Sequence, residues 1–199
     1  MSGTFPSSPA PSALKIQSYQ PTRVSLAHNL RRSTRTTGAQ RWVITADWVG
    51  LSRAQFAPIQ AFLLSQRGQW DSFTAALPVH RSPQGAATGS PVVNGTAQQG
   101  RALATRGWTA STAGVLKAGD FIGISGQSKV YMVTADANSD ASGSATLAIE
   151  PALMVSPGDG VALLVRSVPF TLALGSDTLE SAVAPGGIYN FSLQLVESF

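Results

Sequence analysis

Residues Gln40 to Trp48 alternate with period two. Gln40, Trp42, Ile44, Ala46 and Trp48 fall on one side, and Arg41, Val43, Thr45 and Asp47 on the other. Only an extended strand separates the two sets in this way, because its successive side chains point to opposite faces. The pattern recurs. Val24, Leu26, His28 and Leu30 share a face, and so do Tyr189, Phe191, Leu193 and Leu195 near the end. Segments 22–30 and 40–48 are read as the two arms of one long β-hairpin. A polar stretch containing Thr37-Gly38 lies between them, with the arginines near its tip. His28, on an apolar face, is expected to be packed and hydrogen-bonded rather than catalytic.

One segment has a helical period. In "LSRAQFAPIQAFLLSQRG", Phe56, Ile59, Phe62 and Leu63 form a stripe. Ser52 and Gln55 match a capping box, Leu51 and Phe56 a hydrophobic staple, and Gly68 a left-handed helix end. Pro58 leaves two readings open. Either the helix starts after Ser52 and loses an internal hydrogen bond at Pro58, or it starts near Ala57 with Pro58 in its first turn.

After "QWDSFTAALP", another strand, the texture changes at "VHRSPQGAATGSPVVNGTAQQG" to turns rich in Gly, Pro, Ser and Asn. Short strands follow, around "RALATRGW", "VLKAGDFIGI", "KVYMVT", "ATLAIEPAL" and "VALLVRSV", before longer alternation returns. The organisation predicted is nested. Residues 1–12, rich in Pro and Ser, form a flexible arm. Residues 13–80 plus 166–199 form a β-rich body around the single helix, and residues 81–165 form a small β-barrel-like insertion. The 19 glycines and 12 prolines suit short strands and many turns. Only 12% of residues are charged, about half the usual share, which fits a surface partly hidden in an assembly.

Net charge is +4, unevenly spread. Residues 1–80 carry +6 and residues 81–199 carry −2. The densest basic run is "RRSTRTTGAQR", containing Arg31, Arg32, Arg35 and Arg41. Nucleic-acid contact is one reading; a solvated or subunit-facing hairpin is the favoured one. Trp42 and Trp48 share the face of Ile44, at a core or a subunit interface.

Chemistry is poorly supplied. Cysteine is absent, which excludes disulfides, thiolate nucleophiles and zinc–thiolate sites. His28 and His80 are the two histidines. No G-x-S-x-G occurs, and no spacing singles out a carboxylate pair. "GISGQSKV" departs from a phosphate loop: its second glycine comes early, and Val130 follows Lys129 where a hydroxyl residue is needed. No catalytic residue, metal site or cofactor is expected. No apolar run approaches the length of a membrane span, so no membrane insertion is expected. The start of the chain does not read as a signal peptide, and production in a reducing cytoplasm is expected.

"DANSDASGSA" places Asp136, Asn138 and Asp140 at alternate positions, as a calcium loop begins. Such a loop requires glycine at its sixth position and glutamate at its twelfth. Ala141 and Leu147 stand there instead, and the flanks alternate like strands. The stretch is read as a hairpin tip on the insertion, with Gly143 supplying a positive φ.

The segment "RRSTRTTGAQRWVITADWVGLSRAQFAPIQAFLLSQRGQWDSFTAALP" resembles distal tail proteins of long-tailed bacteriophages. The likeness is one of order: a strand with a central Trp, a helix ending in Arg-Gly, then a Phe-containing strand ending in Leu-Pro. It continues through "GSPVVNGTAQQGRALATRGW", "GVLKAGDFIGI", "KVYMVTADANSDASGSATLAIEPAL" and "YNFSLQLVESF", over nearly all of residues 20–199. The resemblance implies a tail-tube-like β-sandwich with one flanking helix. It also implies a homo-hexameric ring in the virion tail tip, assembled in the host cytoplasm. The ring would link the tail-tube protein to the tail-tip hub and enclose the channel through which genomic DNA passes. On that reading Arg31, Arg32, Arg35, Arg41, Trp42 and Trp48 are candidates for the ring or partner interface. Two alternatives stay open: a carbohydrate- or receptor-binding module with Trp108 and Tyr131 as stacking aromatics, and a nucleic-acid-binding protein using hairpin 31–41.

Overall fold

The computed structural model describes residues 3–199. Two compact units divide the chain: one runs to Phe73 and resumes over Leu172–Ser198, and the other covers Thr74–Thr171. In chain order the first stretch holds β1 (Ala13–Tyr19), β2 (Thr22–Leu26), β3 (Arg32–Thr36), β4 (Arg41–Leu51), α1 (Arg53–Ser65) and β5 (Ser72–Ala76). Then come β6 (Gly89–Val93), β7 (Ala102–Trp108), β8 (Phe121–Ile124), β9 (Val130–Val133), β10 (Ala145–Glu150) and β11 (Leu163–Leu164). The chain closes with β12 (Pro169–Leu174), β13 (Ala182–Ala184) and β14 (Ile188–Glu197). It leaves the first unit within β5 and re-enters it within β12. The architecture is mainly β, with one α-helix among the described residues, consistent with a β-sandwich and an inserted barrel.

The sheet of the first unit runs β1-β4-β14-β12-β5, with β13 beside β14. β4 is an interior strand, paired on both sides, and its alternation is the most complete. Trp42, Ile44, Ala46 and Trp48 are buried, and the residues between them are half-buried or exposed. β14 lies antiparallel to it, with Leu193 opposite Ala46 and Leu195 opposite Ile44. A bulge at Asn190 interrupts this register, and the Asn190 side chain takes the Gly50 N–H at 2.8 Å. Trp48 stacks on Phe191 with ring centroids 4.6 Å apart.

α1 starts directly after Ser52, so the first reading of Pro58 holds: the proline lies inside the helix, on its exposed side. The Ser52 N–H donates to Gln55 Oε1 at 3.0 Å, and Arg67 and Gly68 adopt positive φ at the other end. Phe56, Ile59 and Leu63 are buried, each stabilising by about 1.5–3 kcal/mol. The start of the chain, read from composition as a loose arm, makes specific contacts. Phe5 packs against Trp48, Phe62 and Phe73, and Trp48 Nε1 donates to the Pro9 carbonyl at 3.0 Å.

The hairpin differs from its sequence reading. β2 pairs with β3, Thr22 opposite Thr36 and Leu26 opposite Arg32, while β4 pairs with β1 and β14. The tip is the turn Ala27–Arg31, and Thr37–Gln40 is the link to β4. His28 sits in that tip and is exposed, not packed. β3 escaped notice because "RSTRT" has no apolar residue to mark a face.

In the second unit the order is β11-β8-β9-β10-β7-β6. The sheet nearly closes into a barrel, because β6 returns to the segment entering β11: Val93 N–H donates to Val161 O at 2.8 Å, and Val92 bridges Ala162. Near-closure shortens the free edges that would otherwise pair with other chains. Val93, Leu103, Ile122, Ile124, Tyr131, Val133, Leu147 and Ile149 fill the interior. The β6–β7 bulge brings backbones so close that a Cβ on Gly89 would lie 2.3 Å from Gly107 O.

Candidate interaction surfaces

Every residue of β2 and β3 is exposed. Their register puts Arg23 directly opposite Arg35, with Ser25 opposite Ser33 on the same face. Like charges facing each other across a strand pair are destabilising. Among the described residues no acid lies against Arg23, Arg31, Arg32 or Arg35; ion pairs form elsewhere, joining Arg67 to Asp71, Arg101 to Glu150 and Arg106 to Asp159. The other face of the ribbon presents Val24 (52% exposed) and Leu26 (65%), and Leu30 (82%) stands at the tip. Arg31, Arg32 and Arg35 thus cluster on the hairpin. Arg41 begins β4 and is exposed. Trp42 and Trp48 are not brought to this surface: both are buried in the core of the same unit, at 5% and 2% exposure. Arg23 was missed as a candidate because it lies outside the dense run; its pairing with Arg35 exists only in the fold.

The loop between β9 and β10 explains the alternating oxygens of Asp136, Asn138 and Asp140. Ala137 and Ser139 point inward and are buried, while the three acceptors turn out and back onto backbone amides. Asp136 Oδ1 accepts from Ala118 N–H at 2.9 Å and Asn138 Oδ1 from Gly114 N–H at 2.7 Å. Asp140 Oδ1 accepts from the amides of Ser142 and Ser144 at 2.8 and 2.9 Å and from the Ser142 hydroxyl. These bonds hold the Asp140 carboxyl below its ordinary value, the Ser142 hydroxyl foremost. The loop is therefore stitched to residues 109–118. Gly143 has φ +75°, and a Cβ there would meet Trp108 O at 2.4 Å. No group of three or more His, Cys, Asp or Glu suited to a metal occurs among the described residues.

Asp120, readable from sequence only as part of a turn entering a strand, has a buried carboxylate that accepts amides from Gln84 (2.7 Å), Gly85 (3.1 Å) and Lys117 (2.8 Å). Its partners at 84 and 85 lie too far along the chain to be read from spacing. Beside it is a cavity of about 170 Å³ lined by His80, Gln84, Asp120 and Phe121. His80 sets its ring edge-on to Phe121 at 5.0 Å. Burial pushes its imidazole below the ordinary value, against the opposite pull of Asp120. With the carboxylate committed to three amides, this is a clasp joining two loops. Trp108 and Tyr131 are also buried, at 4% and 0% exposure.

Residues 80–162, nearly the whole of the second unit, match the family model described as distal tail protein pb9, B domain. The match supports a phage distal tail protein. Such a protein is a structural component of the virion. A comparison with curated proteins returned no match. No helix among the described residues is long and apolar enough to cross a membrane.

Proposed function

We propose that the chain is a distal tail adaptor, a ring-forming subunit that joins the tail-tube protein to the tail-tip hub and encloses the channel for genomic DNA. The observation that carries this reading is the match of residues 80–162 to a distal tail protein domain. The nested order of the chain supports it. The body, residues 13–80 plus 166–199, forms the ring, and the insertion, residues 81–165, faces partners at the tip. The protein does no chemistry on this reading; it works by presenting surfaces in a fixed arrangement. The ring is homo-hexameric and is assembled onto tails in the host cytoplasm.

The glycan-binding alternative loses its stacking platform, since Trp108 and Tyr131 are buried. The test of the adaptor reading is depletion. Phage lacking the protein should yield tail tubes without tip complexes, and supplying the chain in trans should restore them. Complete tips on depleted particles would sink the reading.

A further inference from the structure

An isolated two-stranded ribbon is marginally stable in water. Here β2–β3 is exposed throughout, carries Arg23 and Arg35 in opposition, and has no third strand beside it among the described residues. Within residues 20–40 there are four arginines and no acid. One segment of the same unit has the opposite character. Residues 175–188 contain Asp177 and Glu180 and no base. Asp177 is committed, since its Oδ1 accepts the Gln69 N–H at 3.0 Å. Glu180 is exposed and has neither a hydrogen bond nor an ion pair among the described residues. β13, within this segment, pairs with β14 on one side and with no described strand on the other. Val183 (59% exposed) and Ile188 (42%) lie uncovered there.

We infer that the β2–β3 hairpin of one copy docks on the β13 segment, residues 175–188, of a neighbouring copy. Charge selects the pairing: the arginines of the hairpin meet Glu180, with Asp177 adding to the acidic character of the segment. Apolar area accompanies it, with Val24, Leu26 and Leu30 on one partner and Val183 and Ile188 on the other. The free edge of β13 and the free edges of the ribbon offer backbone groups to each other, as in strand addition. The contact is heterologous, one patch meeting a different one, which closes into a ring when repeated by rotation. The apolar side chains favour a protein occupant over a nucleic acid, whose backbone would engage the arginines alone. This inference rests on the ring reading above and names its subunit contact.

The absence of cysteine makes the test clean. A chain carrying both Ser33→Cys and Ser181→Cys, assembled into tails and treated with a short bismaleimide, should give a ladder of covalent oligomers; either variant alone should give none above dimer. Adding Arg23→Glu and Arg35→Glu should reduce the ladder about tenfold or more, and Glu180→Arg in the same chain should restore part of it. Electron micrographs of the same tails separate the failures. A ring with no ladder overturns the docking and leaves the adaptor standing. Tails with no ring remove both. Binding of a duplex DNA probe that weakens steeply with salt, is lost in the double arginine variant and comes without a ladder assigns the hairpin to nucleic acid instead.

Discussion

At the scale of single residues, the polar groups buried in the inserted barrel serve structure. Asp120 accepts three amides from two loops, and removing a charged acceptor leaves those donors without their partner in a largely buried site. Asp120→Ala should lower stability by about 2–4 kcal/mol in chemical denaturation; an unchanged midpoint would mean that water replaces the carboxylate without cost. Asp140 answers to pH. Its folded pKa lies below the ordinary value, so the unfolded chain takes up the proton first. The loop's stabilising bonds are complete above the ordinary aspartate range and are lost as pH falls through the folded value. The protection factors of the Ser142 and Ser144 amides, corrected for the intrinsic pH dependence of exchange, should therefore fall on acidification, and Asp140→Asn should abolish that dependence. The alternation of Asp136, Asn138 and Asp140 was legible as marking a loop. That each oxygen holds an amide was not, because the donors at Gly114 and Ala118 come from another loop.

At the scale of elements, legibility follows apolar periodicity. β4 and β14 announce themselves, since every second residue is buried. α1 was legible in its cap, its stripe and its Gly68 end. β3 was not, for a strand without apolar residues has no face to detect, and its neighbours were mispaired as a result. The start of the chain shows the same limit. Pro and Ser dominate it, while the single Phe5 packs among Trp48, Phe62 and Phe73. Phe5→Ala should cost about 1–3 kcal/mol, below the value for a fully buried phenylalanine because Phe5 is only half-buried. Pro58 removes a hydrogen bond from the exposed side of α1. Pro58→Ala should raise the melting temperature, stabilising by about 1–2 kcal/mol out of the roughly 3 that proline costs in a helix interior. A lower melting temperature would show that the packing of Ile59 depends on the proline.

At the scale of the whole molecule, the distribution of unsatisfied surface speaks for assembly. The barrel nearly closes its own sheet, whereas the other unit leaves a basic ribbon and the edge of β13 uncovered. Low overall charge was legible from composition. Trp42 and Trp48 were placed by sequence at a core or an interface, and their burial assigns them to the core. A strand face alone does not say whether its cover comes from the same chain. The direct measurement is electron microscopy of purified tails carrying the chain, with antibody or tag density marking its position. The account predicts a closed ring of copies at the junction of tube and tip. Tails that lack the protein, or that hold it as scattered single copies away from that junction, would contradict it.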